Sequence, residues 1–183
     1  MVTAPQKYLF DIATYHQMIE TNLFIPETRV ELIEGEIIKM AAMGPLHADI
    51  IGILNNLFHE TVKKRAKIRV QTPIILGDLS EPDPDIALVQ FRRYLEKHPT
   101  AEEVFLLVEV ADSSLKSDSK TKIPLYAKHG IPEVWLVDVK NTCVKIHRKP
   151  TPKGYKTVER FELGEQITPT LLPEIIINVD DIF

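Results

Sequence analysis

The sequence predicts an α/β protein in which helices pack on a central β-sheet. A long helical segment, three strand-like segments after it, and a final helix and strand carry this prediction. Such an order is typical of a sheet covered by helices. The chain has 183 residues, of which 44% are hydrophobic and 26% are charged. These values predict one domain over 1–183 with its own core, and they exclude a disordered chain or a fibre.

The first third of the chain predicts a short helix, a pair of strands and the longest helix. Asp11–Thr21 is typical of a short helix with Asp11 as its N-cap. Arg29–Met40 is rich in Ile and Val and predicts two strands, or one bent strand, with the bend at Gly35. Leu46–Lys64 is predicted to be a helix because apolar residues recur along it at helical spacing: Ile50, Ile53, Leu54, Leu57, Phe58 and Val62.

The rest of the chain predicts strands with one helix among them. Pro124 fits only the first turn of a helix, so a helix is predicted from near Thr121 to Gly130. The segments 142–148 and 155–161 predict a C-terminal β hairpin. Further strands are predicted over four stretches: Lys67–Leu76, Asp85–Val89, Val104–Val110 and Glu133–Val139.

Composition and motifs exclude several classes of protein. The longest unbroken apolar stretch, Val104–Val108, is too short to cross a bilayer, and the first residues do not resemble a secretion signal. The single Cys143 excludes an internal disulfide and fits a reducing cytoplasm. No zinc-protease, hydrolase-elbow, P-loop or Rossmann motif occurs. The net charge of −4 argues against tight, sequence-blind binding to nucleic acid, yet residues 63–69 carry five basic side chains and fit a polyanion contact or a solvated surface equally well.

Two carboxylates interrupt segments that are otherwise apolar. Glu109 lies inside VFLLVEV, where a buried carboxylate costs several kcal/mol unless it is paired or bound to a cation. Asp85 follows Pro84 at the head of another predicted strand. If the two strands are neighbours, the acids converge, which raises a pKa or requires a divalent cation such as Mg²⁺. The alternatives are an exposed strand end or a structural arginine partner for Glu109, and turn chemistry for Asp83 and Asp85.

Three more residues are candidates for the same site. Lys122, 13 residues after Glu109, is predicted to share a helix face with Tyr126, and it is either a group that orients water and stabilises phosphate charge or a surface lysine. His47, at the start of the long helix, is either a substrate or metal contact or a structural histidine. Glu34 is one of three neighbouring acids: Glu31, Glu34 and Glu36. Either one of them faces the same site as Asp85 and Glu109, or all three form the solvent face of an edge strand.

These residues make the sequence resemble the Uma2 family (DUF820), which is common in cyanobacteria and belongs to the PD-(D/E)XK restriction-endonuclease-like superfamily. The resemblance runs from about Tyr8 to Phe183. It implies a restriction-endonuclease-like core, a mixed central β-sheet flanked by helices, with added strands and a C-terminal β hairpin. It rests on six segments: RVELIEGEIIKM (29–40), GPLHADI (44–50), PDIALV (84–89), LLVEVADSSL (106–115), DSKTKIPLYAKHGIPEVWLVD (118–138) and LPEIIINVDDIF (172–183).

The resemblance also implies roles for individual residues. Asp85 and Glu109 match the motif acids and, with the Val110 carbonyl, are the implied metal ligands. The superfamily pattern has a lysine two residues after the glutamate, where this chain has Ala111. Lys122 matches the place on the following helix where Uma2-like proteins carry that lysine, so the helix is expected to bring it back over the glutamate. Two further residues match positions of the family's site: Glu34 and His47.

The implied activity is that of an endonuclease that hydrolyses DNA phosphodiester bonds with Mg²⁺ or Mn²⁺, as a homodimer by analogy with superfamily enzymes. Two other functions stay open. A non-catalytic module that keeps the nuclease fold and binds nucleic acid or protein fits the acidic net charge and Ala111. A hydrolase of another phosphate ester fits the lack of an obvious base-reading element. The candidates for contact with a DNA backbone are basic: Lys63, Lys64, Arg65, Lys67, Arg69, Arg92 and Arg93.

Overall fold

The computed structural model describes residues 6–25, 28–112 and 118–183, and it confirms an α/β fold with a mixed central sheet flanked by helices. No helix in these ranges is long and apolar enough to cross a membrane. The helices are α1 (Ile12–Glu20), α2 (Pro45–Val62) and α3 (Ile123–Lys128). The strands are β1 (Val30–Ile33), β2 (Glu36–Lys39), β3 (Ala66–Val70), β4 (Ile86–Gln90), β5 (Val104–Ala111), β6 (Glu133–Asp138), β7 (Cys143–Thr151), β8 (Gly154–Phe161), β9 (Gln166–Ile167) and β10 (Ile177–Asn178).

The central sheet has six strands in the order β3-β4-β5-β6-β7-β8. β5 and β6 are parallel and are joined through α3, whereas the other neighbours are antiparallel. β7 and β8 form the predicted C-terminal hairpin and complete one edge. β1 and β2 form a separate two-stranded hairpin, as do β9 and β10. The sheet is therefore mixed, with its most apolar strands at the centre.

Helices cover both faces of this sheet, which is why β5 and β6 are almost continuously buried rather than alternating. α2 lies on one face, where Phe58 packs with Leu106, Val108 and Trp135. The rings of Phe58 and Trp135 are 6.0 Å apart. α3 lies on the other face, where its apolar residues pack with residues of β5 and β6: Ile123, Leu125, Tyr126, Leu107 and Val134.

Most predicted elements are confirmed close to their expected ends. Asp11 caps α1, because its Oδ1 accepts a hydrogen bond from the Thr14 amide at 2.8 Å. The segment Arg29–Met40 is a hairpin with its turn at Gly35, whose φ is +81°. A Cβ at Gly35 would lie 2.6 Å from the Cβ of Leu9, so both the backbone conformation and the close approach require glycine there.

The predicted strand Lys67–Leu76 is wrong in its second half, and the helix near Thr121 begins differently from the prediction. β3 ends at Val70 because Gln71 takes a left-handed conformation with φ +46° and Pro73 has no amide to donate. The predicted helix begins as one turn of π-helix, Asp118–Lys122, before α3. It ends at Gly130 as expected, with φ +78°.

A buried carboxylate joins β6 to β7 and to the C-terminal segment. Glu133 is 1% exposed, and the guanidinium of Arg148 donates to both of its oxygens, at 3.0 and 3.1 Å. The indole of Trp135 donates to Oε1 at 2.6 Å. The amide and hydroxyl of Thr170 both donate to Oε2. The charge is thus fully hydrogen-bonded, as a buried carboxylate requires.

We expect Glu133→Ala to lower the free energy of unfolding by about 3–5 kcal/mol, because it leaves the half-buried Arg148 without its internal counter-charge. Glu159→Ala is the matched control, since Glu159 is the exposed partner of the same guanidinium. It should cost less than about 1 kcal/mol. Urea unfolding of the two variants measures both effects, and equal small losses would contradict the assignment of Glu133 as a structural counter-charge.

We expect His147 to make the fold sensitive to acid. Burial, with a smaller effect of the nearby Lys145 charge, lowers the pKa of His147 from 6.5 to about 4. An unfolded chain binds the proton near pH 6.5 and the folded chain only near pH 4, so stability is lost as the pH falls between those values. His147→Phe removes this titration. The loss of unfolding free energy between pH 7 and pH 4 should be smaller in the variant than in the natural chain, and identical pH profiles would contradict the prediction.

Candidate active site

Two acids meet at one end of the β4–β5 pair. Ile86 of β4 is paired with Val108 of β5, so Asp85 lies opposite Glu109 one step further along the antiparallel ladder. Alternation along the strands places both side chains on the α3 face of the sheet. Asp85 is 8% exposed and Glu109 is 2% exposed. The two strands are therefore neighbours, and the convergence that the sequence left conditional is present.

Three elements hold the carboxylate of Asp85. His47, in the first turn of α2, places Nε2 at 3.0 Å from Oδ1. The amide of Val110 donates to Oδ2 at 2.8 Å. Gln71 donates its side-chain amide to Oδ1 at 3.4 Å and its backbone amide to the Asp85 carbonyl at 3.0 Å. The carboxylate orientation is thus fixed by contacts from α2, from β5 and from the end of β3.

Lys122 brings a positive charge to these acids from the π-turn before α3. Its ammonium is 3.7 Å from Oε1 of Glu109 and 3.1 Å from Oε2 of Glu31. It also donates to the Asp83 carbonyl at 3.2 Å. Lys122 is 8% exposed, so the charge is buried together with its partners. The chain after β5 therefore folds back and sets this amine over Glu109, as the resemblance requires.

The hydroxyl of Tyr126 donates to Oε1 of Glu109 at 2.5 Å. Tyr126 is fully buried in α3, four residues after Lys122. One helical turn therefore delivers both an ammonium and a hydroxyl to the same carboxylate oxygen. The position of Glu109 depends on the docking of α3 against the sheet.

Arg29 and Asp83 extend the charged group toward β1. The guanidinium of Arg29 is 3.4 Å from Oδ2 of Asp83, and the Asp83 amide donates to Oε2 of Glu31 at 3.2 Å. Burial raises the pKa of Asp83 to about 6, although the Arg29 charge lowers it. The negative charge of Glu31 acts in the same direction as burial. Carboxylates thus outnumber the two cations around them.

A cavity of about 390 Å³ opens onto this group. Ionisable residues from several elements line it. The stretch from Ile38 in β2 to Gly44 also lines it, and its Ile38 and Met43 are exposed and apolar. The ionisable lining residues are Arg29, Glu31, Lys39, His47, Asp83, Asp85, Glu109, Asp112 and Lys122.

The structure does not bring Glu34 to the cavity. Glu34 occupies the β1–β2 turn with φ +49°, is exposed, and pairs with Lys128 at 2.6 Å. The acid of this hairpin that faces the cavity is Glu31, because it lies within β1 and not in the turn. The resemblance implied Glu34 as the site residue, whereas the structure places Glu31, and not Glu34, at the cavity.

The basic candidates are spread over the molecule. Lys63 and Lys64 follow α2, which by its rise of 1.5 Å per residue puts them about 24 Å from His47. Arg65 pairs with Glu174 at 3.0 Å. Lys67 and Arg69 belong to β3, and Arg92 and Arg93 follow β4. Three of them, Lys67, Arg69 and Arg92, lie around the ring of Tyr94.

Sequence reasoning missed several contacts of the site. Helical spacing predicted that Tyr126 shares a face with Lys122, but it did not predict that the Tyr126 hydroxyl donates to Glu109. Asp83 had only a turn explanation. Arg29 and Gln71 carried no signal, because each acts through a tertiary contact with an aspartate that lies far away in the sequence.

The donor set fits a hard divalent cation. Within residues 6–25, 28–112 and 118–183, no three His, Cys, Asp or Glu side chains form a ready cation cage. Two carboxylates with oxygen donors from water and substrate are how Mg²⁺ usually binds. Asp85 and Glu109 supply such a pair beside a cavity. The amide of Val110 donates a hydrogen bond to Asp85. The carbonyl that the resemblance implies as a third metal ligand belongs to the same residue.

Comparison with known proteins gives a family and a fold. The sequence profile of the Uma2 family, described as "Putative restriction endonuclease", matches residues 12–180. A crystal structure described as "a putative nuclease belonging to DUF820 from Anabaena variabilis ATCC 29413" superposes with a TM-score of 0.73 at 22% identity, over 90% of this chain and 94% of that chain. No curated protein matches. Since the profile spans most of the sequence, this chain belongs to the Uma2 family of restriction-endonuclease-like proteins.

Proposed function

We propose that the protein is a nuclease that hydrolyses DNA phosphodiester bonds with Mg²⁺ or Mn²⁺. One observation carries the proposal: Asp85 and Glu109 lie side by side at a cavity, with the Lys122 ammonium 3.7 Å from Glu109. Buried acids and a buried cation gathered at a cavity are typical of a catalytic site. Family membership supports the same reaction class.

Asp85, Glu109 and the Val110 carbonyl would hold the ion. When bound, it supplies a water of lowered pKa and offsets charge on the scissile phosphate. His47 is a positioning residue, because its contact with Asp85 fixes the orientation of that carboxylate. The amide of Val110 holds the second oxygen of the same carboxylate.

Lys122 is proposed to orient the attacking water and to stabilise negative charge that develops on the phosphate. Its contacts with Glu31 and the Asp83 carbonyl hold the ammonium in place beside Glu109. Ala111, where the superfamily pattern has the lysine, is fully enclosed. The turn before α3 delivers the amine by another route.

The purified protein should nick or cut plasmid DNA in the presence of Mg²⁺ and lose this activity in EDTA. Asp85→Asn and Glu109→Gln should each lower the rate by about a hundredfold or more, because each weakens the binding of the ion that would stabilise charge in the transition state. His47→Gln should lower it about 10–100-fold, as expected for a group that orients a ligand. Gel assays of supercoiled plasmid measure these rates.

Glu162→Gln is the matched control, since Glu162 is an exposed acid that pairs with Arg160. It should cleave like the natural protein. Cleavage that survives in folded Asp85→Asn and Glu109→Gln variants refutes the metal site. DNA or protein binding that is indifferent to Mg²⁺ and to Lys122→Met, without cleavage, would favour the non-catalytic module, and cleavage of nucleotides alone would favour another phosphate ester.

We also propose that a homodimer cuts both strands of a duplex, because one site of this kind acts on one strand. A single-hit conversion of supercoiled to linear plasmid supports the dimer. Light scattering measures the oligomeric state of the protein. A monomer that accumulates nicked circular plasmid would argue against the dimer.

Lys122→Met should lower the free energy of unfolding by about 3 kcal/mol or more, because Glu31 and Glu109 lose a buried counter-charge. Lys128→Met is the matched control, because Lys128 pairs with Glu34 at the surface and should contribute less than about 1 kcal/mol. Urea unfolding measures both. A double-mutant cycle with Glu31→Gln isolates the pair, and a coupling near zero would contradict the arrangement.

A further inference from the structure

A second group of cations lies on β3, on the same face of the sheet as the two acids. Lys67 and Arg69 of β3 are paired with Val89 and Ala87 of β4. Opposed residues of an antiparallel pair share a face, and Ala87 shares a face with Asp85 two residues away. Arg69 is therefore about 7 Å along the strand direction and one strand spacing of about 5 Å from the Asp85 position.

An aromatic ring gathers these cations. The Lys67 ammonium is 5.8 Å and the Arg69 guanidinium carbon 5.7 Å from the centre of the Tyr94 ring. The Arg92 guanidinium carbon lies 4.3 Å from the same centre. The Tyr94 hydroxyl donates to the Gln90 carbonyl at 3.2 Å, which fixes the ring. Cation–π attraction places the positive groups around one platform.

Of the three cations around Tyr94, one is paired with an acid and two are not. Arg92 forms a salt bridge with Glu103. In the part of the chain that the structure describes, no carboxylate lies within ion-pair distance of Lys67 or Arg69. Asp83 attracts Arg69 only from a longer distance.

Arg69 is held by neutral acceptors and not by an acid. It is half-buried, and its Nε is enclosed by the protein without a hydrogen-bond partner within the described ranges. Its Nη2 lies 3.0 Å from Nδ1 of His98 and 3.4 Å from the Pro73 carbonyl. Burial lowers the pKa of His98, so the neutral ring accepts from Arg69 and does not compensate its charge. A half-buried guanidinium whose charge is not compensated by an acid within ion-pair distance in the described ranges is suited to attract an anion with several oxygens.

We propose that Lys67 and Arg69, gathered over Tyr94, bind a backbone phosphate of the nucleic-acid strand whose neighbouring phosphate reaches Asp85 and Glu109. This inference rests on the proposed function, because it takes the cavity as the place where the strand reacts. It selects two of the seven basic candidates. It sets aside Lys63 and Lys64, at the far end of α2, and Arg65 and Arg92, which have acid partners. Arg93, which is exposed after β4, is not part of the proposal.

The test is the salt dependence of binding to a short fluorescein-labelled DNA duplex, measured by anisotropy in EDTA so that no cleavage occurs. Each phosphate contact contributes about 0.9 to the slope of log affinity against log salt. Lys67→Gln should reduce that slope by about one, and should weaken binding roughly eightfold near 0.1 M salt, since the contribution disappears near 1 M. Arg69→Gln should act in the same direction.

The matched control is the double variant Lys63→Gln with Lys64→Gln, which removes two positive charges elsewhere and should leave the slope within error. Circular dichroism accompanies each variant, because Lys67 and Arg69 are both half-buried and a substitution there can unfold the chain. Lys67→Gln carries the test alone if Arg69→Gln unfolds. No binding by the natural protein, or equal slopes in Lys67→Gln and the control, would overturn the proposal. A reduced slope in Lys67→Gln, without Mg²⁺-dependent cleavage by the natural protein, would support the phosphate site and refute the nuclease. Cleavage by the natural protein with an unchanged slope in Lys67→Gln would support the nuclease and refute the phosphate site.

Discussion

Two carboxylates that lie side by side in an apolar sheet repel each other, and burial raises the free energy of both charges. In this protein the β4–β5 register creates that situation at Asp85 and Glu109. Lys122 offsets part of this repulsion and burial cost, because opposite charges about 4 Å apart attract by about 4 kcal/mol at the effective dielectric of a protein surface. The cavity leaves the remaining negative charge accessible to a cation. The rest of the site, from His47 to Tyr126, serves to hold these groups in position.

Two buried glutamates show the difference between a structural and a reactive setting. Glu133 receives hydrogen bonds from Arg148, Trp135 and Thr170 on both oxygens and does not line the cavity. Glu109 is equally buried, yet it lies at the cavity wall among other acids. A buried charge with all its hydrogen bonds made stabilises one arrangement of the chain. A group of acids at an open cavity repel one another, and a bound cation would lower their electrostatic free energy. Burial alone does not separate the two, and the surroundings do.

The sequence predicted the order of elements because apolar periodicity and proline or glycine stops are local properties. It also singled out Asp85, Glu109, Lys122 and His47, since each stands out against its neighbours or at a helix start. It selected Glu34 where the structure places Glu31 at the cavity, because the choice depends on which residue of the hairpin occupies the turn. It extended β3 through Gln71, whose left-handed backbone is stabilised by hydrogen bonds with Asp85 that no local pattern reports. The environment of Tyr94 was likewise invisible, since its cations come from β3 and from the loop after β4.

Moving the lysine from β5 to the turn before α3 changes how the site assembles. A lysine two residues after the glutamate would be positioned by the strand itself. Lys122 reaches Glu109 only when α3 packs on the sheet, through Ile123 and Tyr126 against Leu107 and Val134. Tyr126 belongs both to that core and to the hydrogen bond on Glu109. Packing of α3 on this face of the sheet therefore also sets the positions of the Lys122 ammonium and the Tyr126 hydroxyl beside Glu109.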